Sequence, residues 1–238
     1  MNGVLEQWLL NLAIDFPVEL RLLPAVLDGD DREPHALNVR ALRGFSLEDG
    51  VHRLVELAEH GVVELIREME RGEPRVVAPS EILPLVARHD IPKELSFRLT
   101  AAGGRTWEAA AQPRWHEMHD GFAAPREERG ELVGFDWTCF SQNRERLMAI
   151  LGWWPMLQQE HVNLDTVAWK LAEDYEVKYW KHLPSVHVVT FQSLSGKPST
   201  VAWRRGAEPR WFQEWRIGSS AWYRPPWEME GWPPKPDR

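Results

Sequence analysis

The chain has 238 residues, 43% of them hydrophobic, enough for one large core or two small ones, and its 36 acidic against 28 basic residues leave a formal net charge of -8. That balance repels phosphate backbones and suits a basic partner, so a broad nucleic-acid surface is disfavoured. No run reaches the roughly 20 apolar residues of a membrane helix, the opening MNGVLEQWLLNLAIDFP has no basic lead-in, and Cys139 is the single cysteine; the expectation is no signal peptide, no membrane partner and a reducing, cytoplasmic location.

Val4, Leu5, Trp8, Leu9 and Leu12 recur at helical spacing and Pro17 ends the run, which predicts a first helix over 4–14. ELRLLPAVLDGDD then has no clear period; Pro24 splits it, and the Asp28 to Asp31 cluster closes it as a turn. The clearest unit is FSLEDGVHRLVELAEHGVVELIREME. Ser46 with Asp49 three residues on is a capping-box pattern, and Leu47, Val51, Leu54, Val55 and Ala58 form an apolar stripe. Gly61 sits where a helix-ending glycine belongs, so the reading is helix 47–60, glycine stop, strand 62–67. Ser80 caps a short helix over 80–89, LSFRLT alternates as a strand, and AAGG turns the chain into RTWEAAAQPRWHEMHDGF, helical in composition up to Pro113 and resuming after it.

The Gly, Pro and charge content of GFAAPREERGELVG, residues 121–134, reads as a linker or long loop. SQNRERLMAILGWW predicts a helix capped by Ser141, NLDTVAWKLAEDYEVKYWKHLP begins as another helix near Asp165, and SVHVVTFQSL is a strand. Residues 199–217 look like two strand-like runs around a turn, and the proline-rich end excludes a regular element. Trp222, Trp227 and Trp232, interleaved with proline, either strap across the domain or are offered to a partner.

The order helix, glycine, strand, wing, then a strand ending in Leu99, Thr100 and Gly103 resembles the winged-helix regulators of the MarR and PadR type, with their YxLTxxG wing strand. The likeness covers residues 40 to 120, and it departs where a helix is inserted between the wing strands. A narrower resemblance is to an uncharacterised bacterial family marked by LTxxGGxxWE, PxW and YWKxLP, here Leu99, Thr100, Gly103, Gly104, Trp107, Glu108, Pro113 and Trp115, then Tyr179, Trp180, Lys181, Leu183 and Pro184. It implies no chemistry. The predicted class is α+β: a winged-helix-like domain over 1–120, a smaller α+β domain over 121–198, and a Trp/Pro-rich hairpin and tail over 199–238.

In a DNA-reading winged helix, the helix before the first wing strand enters the major groove with Arg, Lys, Asn or Gln on its exposed side. Here that helix carries Glu48, Asp49, His52, Arg53, Glu56, Glu59 and His60, four carboxylates against one arginine, and in the wing Arg67, Arg71 and Arg75 alternate with Glu68, Glu70 and Glu73. Carboxylates facing phosphates add repulsion. Glu48, Asp49, His52, Glu56 and Glu59 are therefore candidates for contact with a basic protein, most concretely a nuclease-type toxin held by an immunity or antitoxin-like protein. A DNA-binding regulator using Arg40 and Arg43 beside the wing is the alternative.

Candidate chemistry is thin. WHEMHD holds His116 and His119 three apart, one short of the His-Glu-x-x-His zinc motif; a metal hydrolase built on them needs a third ligand from His161, His182 or His187, and a solvated helix face is the plainer account. Cys139 among aromatics reads as a buried structural thiol, and Ser195 lacks the first glycine of a nucleophile elbow. A turn in the wing accounts for Gly103 and Gly104. YWKHLP reads as a helix C-terminus with a cation against the dipole. No catalytic set and no cofactor are expected.

Overall fold

The computed structural model describes residues 2–28, 45–69, 72–87, 91–158, 161–194 and 222–224. The class is α+β, with two antiparallel four-stranded sheets in two compact units. Unit 1 comprises residues 1–113, 178–181 and 223–238; unit 2 comprises 114–177 and 182–222.

Unit 1 runs α1 (Asn2–Leu12), β1 (Val18–Glu19), a 3-10 turn, α2 (Leu23–Asp28), α3 (Leu47–Glu59), β2 (Val63–Arg67), β3 (Arg75–Val76), α4 (Pro79–Ala87), β4 (Leu95–Leu99) and α5 (Ala101–Ala111). Its sheet has the order β1-β4-β2-β3, with Val18 opposite Phe97 and Leu65 opposite Phe97 on the other side. Trp8 to Ile14 are buried without interruption, so α1 and the turn after it form the centre of this core. Trp8, Leu9, Leu54, Leu65, Phe97 and Trp107 are sealed from solvent around them.

The predicted α3 is present with its capping box. The Ser46 hydroxyl accepts the Asp49 N–H at 3.0 Å, and the Ser46 N–H donates to the Asp49 carboxylate at 2.9 Å. Gly61, at φ +68°, ends the helix in the left-handed conformation a β-carbon would strain, and leads into β2. AAGG is not a turn. Thr100 caps α5, its hydroxyl accepting the Gly103 N–H at 3.1 Å, and both glycines lie buried in the first turns of that helix.

Unit 2 holds a 3-10 turn (Trp115–Glu117), β5 (His119–Glu128), β6 (Glu131–Ser141), α6 (Arg144–Gln158), β7 (His161–Lys178) and β8 (Lys181–Leu194), with sheet order β5-β6-β8-β7. Four sequence expectations are corrected. Residues 121–134 are the outer part of the β5–β6 hairpin, paired from His119–Ser141 to Glu128–Glu131, and not a linker. Both turn residues have positive φ, 55° at Arg129 and 81° at Gly130, the handedness a two-residue hairpin requires. The tip is exposed on both faces, so it carries no apolar alternation to signal a strand.

The predicted helix after Asn163 is instead β7. Its charges fall at helix-like intervals, but Val167 and Trp169 pack into one core cluster and Tyr175 and Val177 into another, at the two-residue step of a strand. The helix expected to resume after Pro113 is one 3-10 turn followed by β5. Helix α6 is capped by Asn143, whose side-chain oxygen accepts the Glu145 and Arg146 N–H groups at 3.0 and 3.3 Å, while Ser141 ends β6 and donates to the Met118 carbonyl at 2.6 Å. The runs over 199–217, Ser195, and Trp227 and Trp232 lie outside the described residues.

Candidate functional site

Amphipathic α3 turns Val51, Leu54, Val55 and Leu57 into the core, so its polar residues necessarily share the opposite side. Glu48, Asp49, His52, Glu56 and Glu59 are all exposed there. Each is placed differently. Asp49 closes the capping box, and the Ser46 backbone N–H, then its hydroxyl, hold the Asp49 carboxyl below the usual range. Glu48 faces His52 at 3.6 Å, one turn on. Glu59 is open, and the Glu56 carboxylate takes Arg53 at 2.6 Å.

Arg53 is the helix's one arginine, and the sequence did not reveal its fate. Its guanidinium is ion-paired with Glu6 of α1 as well as with Glu56. Burial works against its charge, but the two carboxylates outweigh burial and raise its pKa. Beyond α3, Arg75 pairs with Glu81 at 3.0 Å, and Arg98 on β4 with Glu64 at 2.8 Å. Arg40, Arg43 and Arg71 lie outside the described residues.

The two motifs far apart in the chain meet inside unit 1. Residues 178–181 form the turn between β7 and β8, which corrects the reading of YWKHLP as a helix end. The Tyr179 hydroxyl donates to the Ala13 carbonyl at 2.5 Å and accepts the Leu99 N–H at 2.7 Å. Trp180 donates its indole N–H to the Ile14 carbonyl at 3.0 Å and meets Trp107 edge-on at 5.8 Å between centroids. Lys181 pairs with Glu108 at 2.6 Å and Lys178 with Asp15 at 2.5 Å. A β-carbon at Gly104 would lie 2.0 Å from the Trp180 ring, and one at Gly103 2.0 Å from the Val62 carbonyl oxygen. LTxxGGxxWE and YWK are therefore two sides of one packing contact, with Gly104 making room for Trp180 while Gly103 makes room for the Val62 carbonyl. Tyr223 packs on Trp107 at 5.1 Å, and the Arg224 N–H donates to the Ala111 carbonyl at 2.8 Å.

In unit 2, His116 and His119 do not converge. The expected helix is absent, so the spacing of three puts His116 on an exposed turn and His119, buried, at the start of β5. Burial, and then the charge of Arg146, push the His119 imidazole down to about 4, so it is neutral near pH 7. His182 lies between Asp174 at 3.2 Å and Glu176 at 3.6 Å, and the His161 side chain lies outside the described residues. Among the described residues no three His, Cys, Asp or Glu side chains are grouped to hold a metal ion.

Glu117, rather than either histidine, is the hub of this corner. Its carboxylate reaches Arg114 at 2.8 Å and the nearly buried Arg146 at 3.5 Å, and its backbone carbonyl also accepts from Arg146. Spacing gave no sign of this, because the arginines come from a 3-10 turn and a helix 32 positions apart. Trp115 stacks at a tilt on Trp222, 5.1 Å between centroids, so that tail tryptophan packs within unit 2. Cys139 is buried, and burial followed by the Asp120 charge raises its thiol to about 12, so it is protonated near neutral pH.

No helix among the described residues is long and apolar enough to cross a membrane. No protein-family model, curated protein or solved structure matches the chain.

Proposed function

We propose that the chain is a non-catalytic protein-binding protein, in which unit 1 is a winged-helix-like scaffold whose α3 offers a negative face to a basic protein. The observation that carries this reading is the state of α3: Glu48, Asp49, Glu56 and Glu59 are exposed while its only arginine is held by Glu6 and Glu56. A phosphate backbone meeting that face finds carboxylates and no uncommitted cation on the helix, whereas lysines and arginines of a protein find matching charge. The winged-helix part is supported by the element order and by the pairing of β4 between β1 and β2, with α4 inserted after the short wing strand β3.

The concrete form we favour is an immunity or antitoxin-like protein acting in the cytoplasm on a nuclease-type toxin, whose own phosphate-binding surface is basic and would be covered by α3. Binding of that kind is fast, steered and salt-sensitive. Affinity capture of the tagged chain from its native cells, with nuclease treatment and at low and high salt, tests it. A basic protein recovered in near-equal amount, lost at high salt and lost again in a Glu48→Lys, Glu56→Lys, Glu59→Lys variant, is the expected result. DNA fragments enriched without nuclease, and no protein, would replace this reading with that of a DNA-binding regulator.

A further inference from the structure

The two outer strands of the unit 2 sheet, β5 and β7 among the described residues, are built differently. An outer strand presents unpaired N–H and C=O groups, and proteins blunt it with proline, bulges and charge. β5 has all three: Pro125, a register shift between Arg126 and Glu127, and then Glu127 and Glu128. β7 from Val162 to Leu171 has no proline, its two charges, Asp165 and Lys170, are opposite in sign rather than alike as Glu127 and Glu128 are, and it exposes Leu164 at 40% and Leu171 at 60%.

The pattern along β7 is self-complementary. Val162, Val167 and Trp169 pack in the same cluster, although Val162 and Val167 are an odd number of residues apart, so one extra residue lies between them. The Thr166 hydroxyl marks the place: it accepts the Gln192 N–H at 2.9 Å and donates to the Asn163 carbonyl at 2.6 Å, standing in the ladder where a backbone group would. Taking the extra residue at Asp165 and Thr166, Leu164, Val167, Trp169 and Leu171 share one face. An antiparallel neighbour of the same sequence, centred on Ala168, then sets Leu164 opposite Leu171, Asp165 opposite Lys170 and Val167 opposite Trp169, each pair occurring twice. Asp165 and Lys170 are exposed and form no ion pair with the described residues.

We propose that β7 pairs with β7 of a second copy about a two-fold axis at Ala168, joining two four-stranded sheets into one of eight strands. The occupant is a second copy because charge, bulk and bulge repeat under strand reversal, the self-complementarity that a two-fold interface requires. This surface lies in unit 2, so the inference stands independently of the acidic α3 face.

Sedimentation velocity of the full chain over a wide concentration range tests it. The wild type should give twice the 27.6 kDa chain mass. Lys170→Asp sets like charges across both halves and should weaken the dimer by roughly tenfold or more. The swap Asp165→Lys with Lys170→Asp should restore it, and Leu171→Lys should leave a monomer with an unchanged near-ultraviolet spectrum. A wild type that stays monomeric throughout, as it would if another part of the chain covered β7, overturns the proposal, as does a dimer indifferent to both Lys170→Asp and Leu171→Lys.

Discussion

Gly104→Ala isolates the packing contact that gives the two motifs their meaning. On an open helix the change stabilises by about 1 kcal/mol, because alanine loses less backbone entropy than glycine. Here the new methyl lies 2.0, 2.5 and 2.8 Å from three atoms of the Trp180 ring, which its bond to Ile14 and its edge contact with Trp107 hold in place. Relief requires moving the indole, which forfeits that hydrogen bond and part of its burial. Overpacking of this kind costs about 1–3 kcal/mol and the lost bond about 1 more; against the helix gain, net destabilisation is about 2 kcal/mol. Urea denaturation followed by tryptophan fluorescence measures it, with Gly3→Ala as a control, since nothing lies within 4 Å of a β-carbon there. In a Trp180→Ala background the penalty should vanish and the helix gain reappear. Gly104→Ala that stabilises the wild type as Gly3→Ala does, or costs the same with Trp180 absent, would refute the argument.

Tyr179→Phe removes the hydroxyl that serves both the Ala13 carbonyl and the Leu99 N–H, and should cost about 2 kcal/mol in the same denaturation assay. Cys139, with its thiol raised to about 12, should resist a disulfide reagent at pH 8 in the folded protein and react on unfolding; fast labelling of native protein would contradict its burial. His119, held near 4 against an ordinary 6.5, binds its proton more readily in the unfolded chain. Its contribution is therefore complete above pH 6.5 and is lost as pH falls toward 4, about 3 kcal/mol over that window. Denaturation across this range should show a shallower acid decline in His119→Gln than in the wild type, and parallel slopes would exclude the residue as the cause.

The sequence by itself determined what local chemistry settles. The Ser46–Asp49 capping box, the apolar stripe of α3 and the glycine stop at Gly61 were legible because each is written in residues a few positions apart. LSFRLT was legible as a strand, but its partners β1 and β2 lie tens of residues away, and it is buried on both faces. The acidic face followed from that helix, since burying one stripe exposes the other. Tertiary structure alone decided the rest. β7 carries charges at helical intervals and becomes a strand because its neighbour β8 supplies the pairing. The β5–β6 tip looked like a linker because a hairpin exposed on both faces has no buried side to record. Arg53 was neutralised by Glu6, 47 positions away, and Gly104 by itself gave no hint that Trp180 fills the space above it. Such contacts join residues that no spacing rule connects, and only the folded chain brings them together.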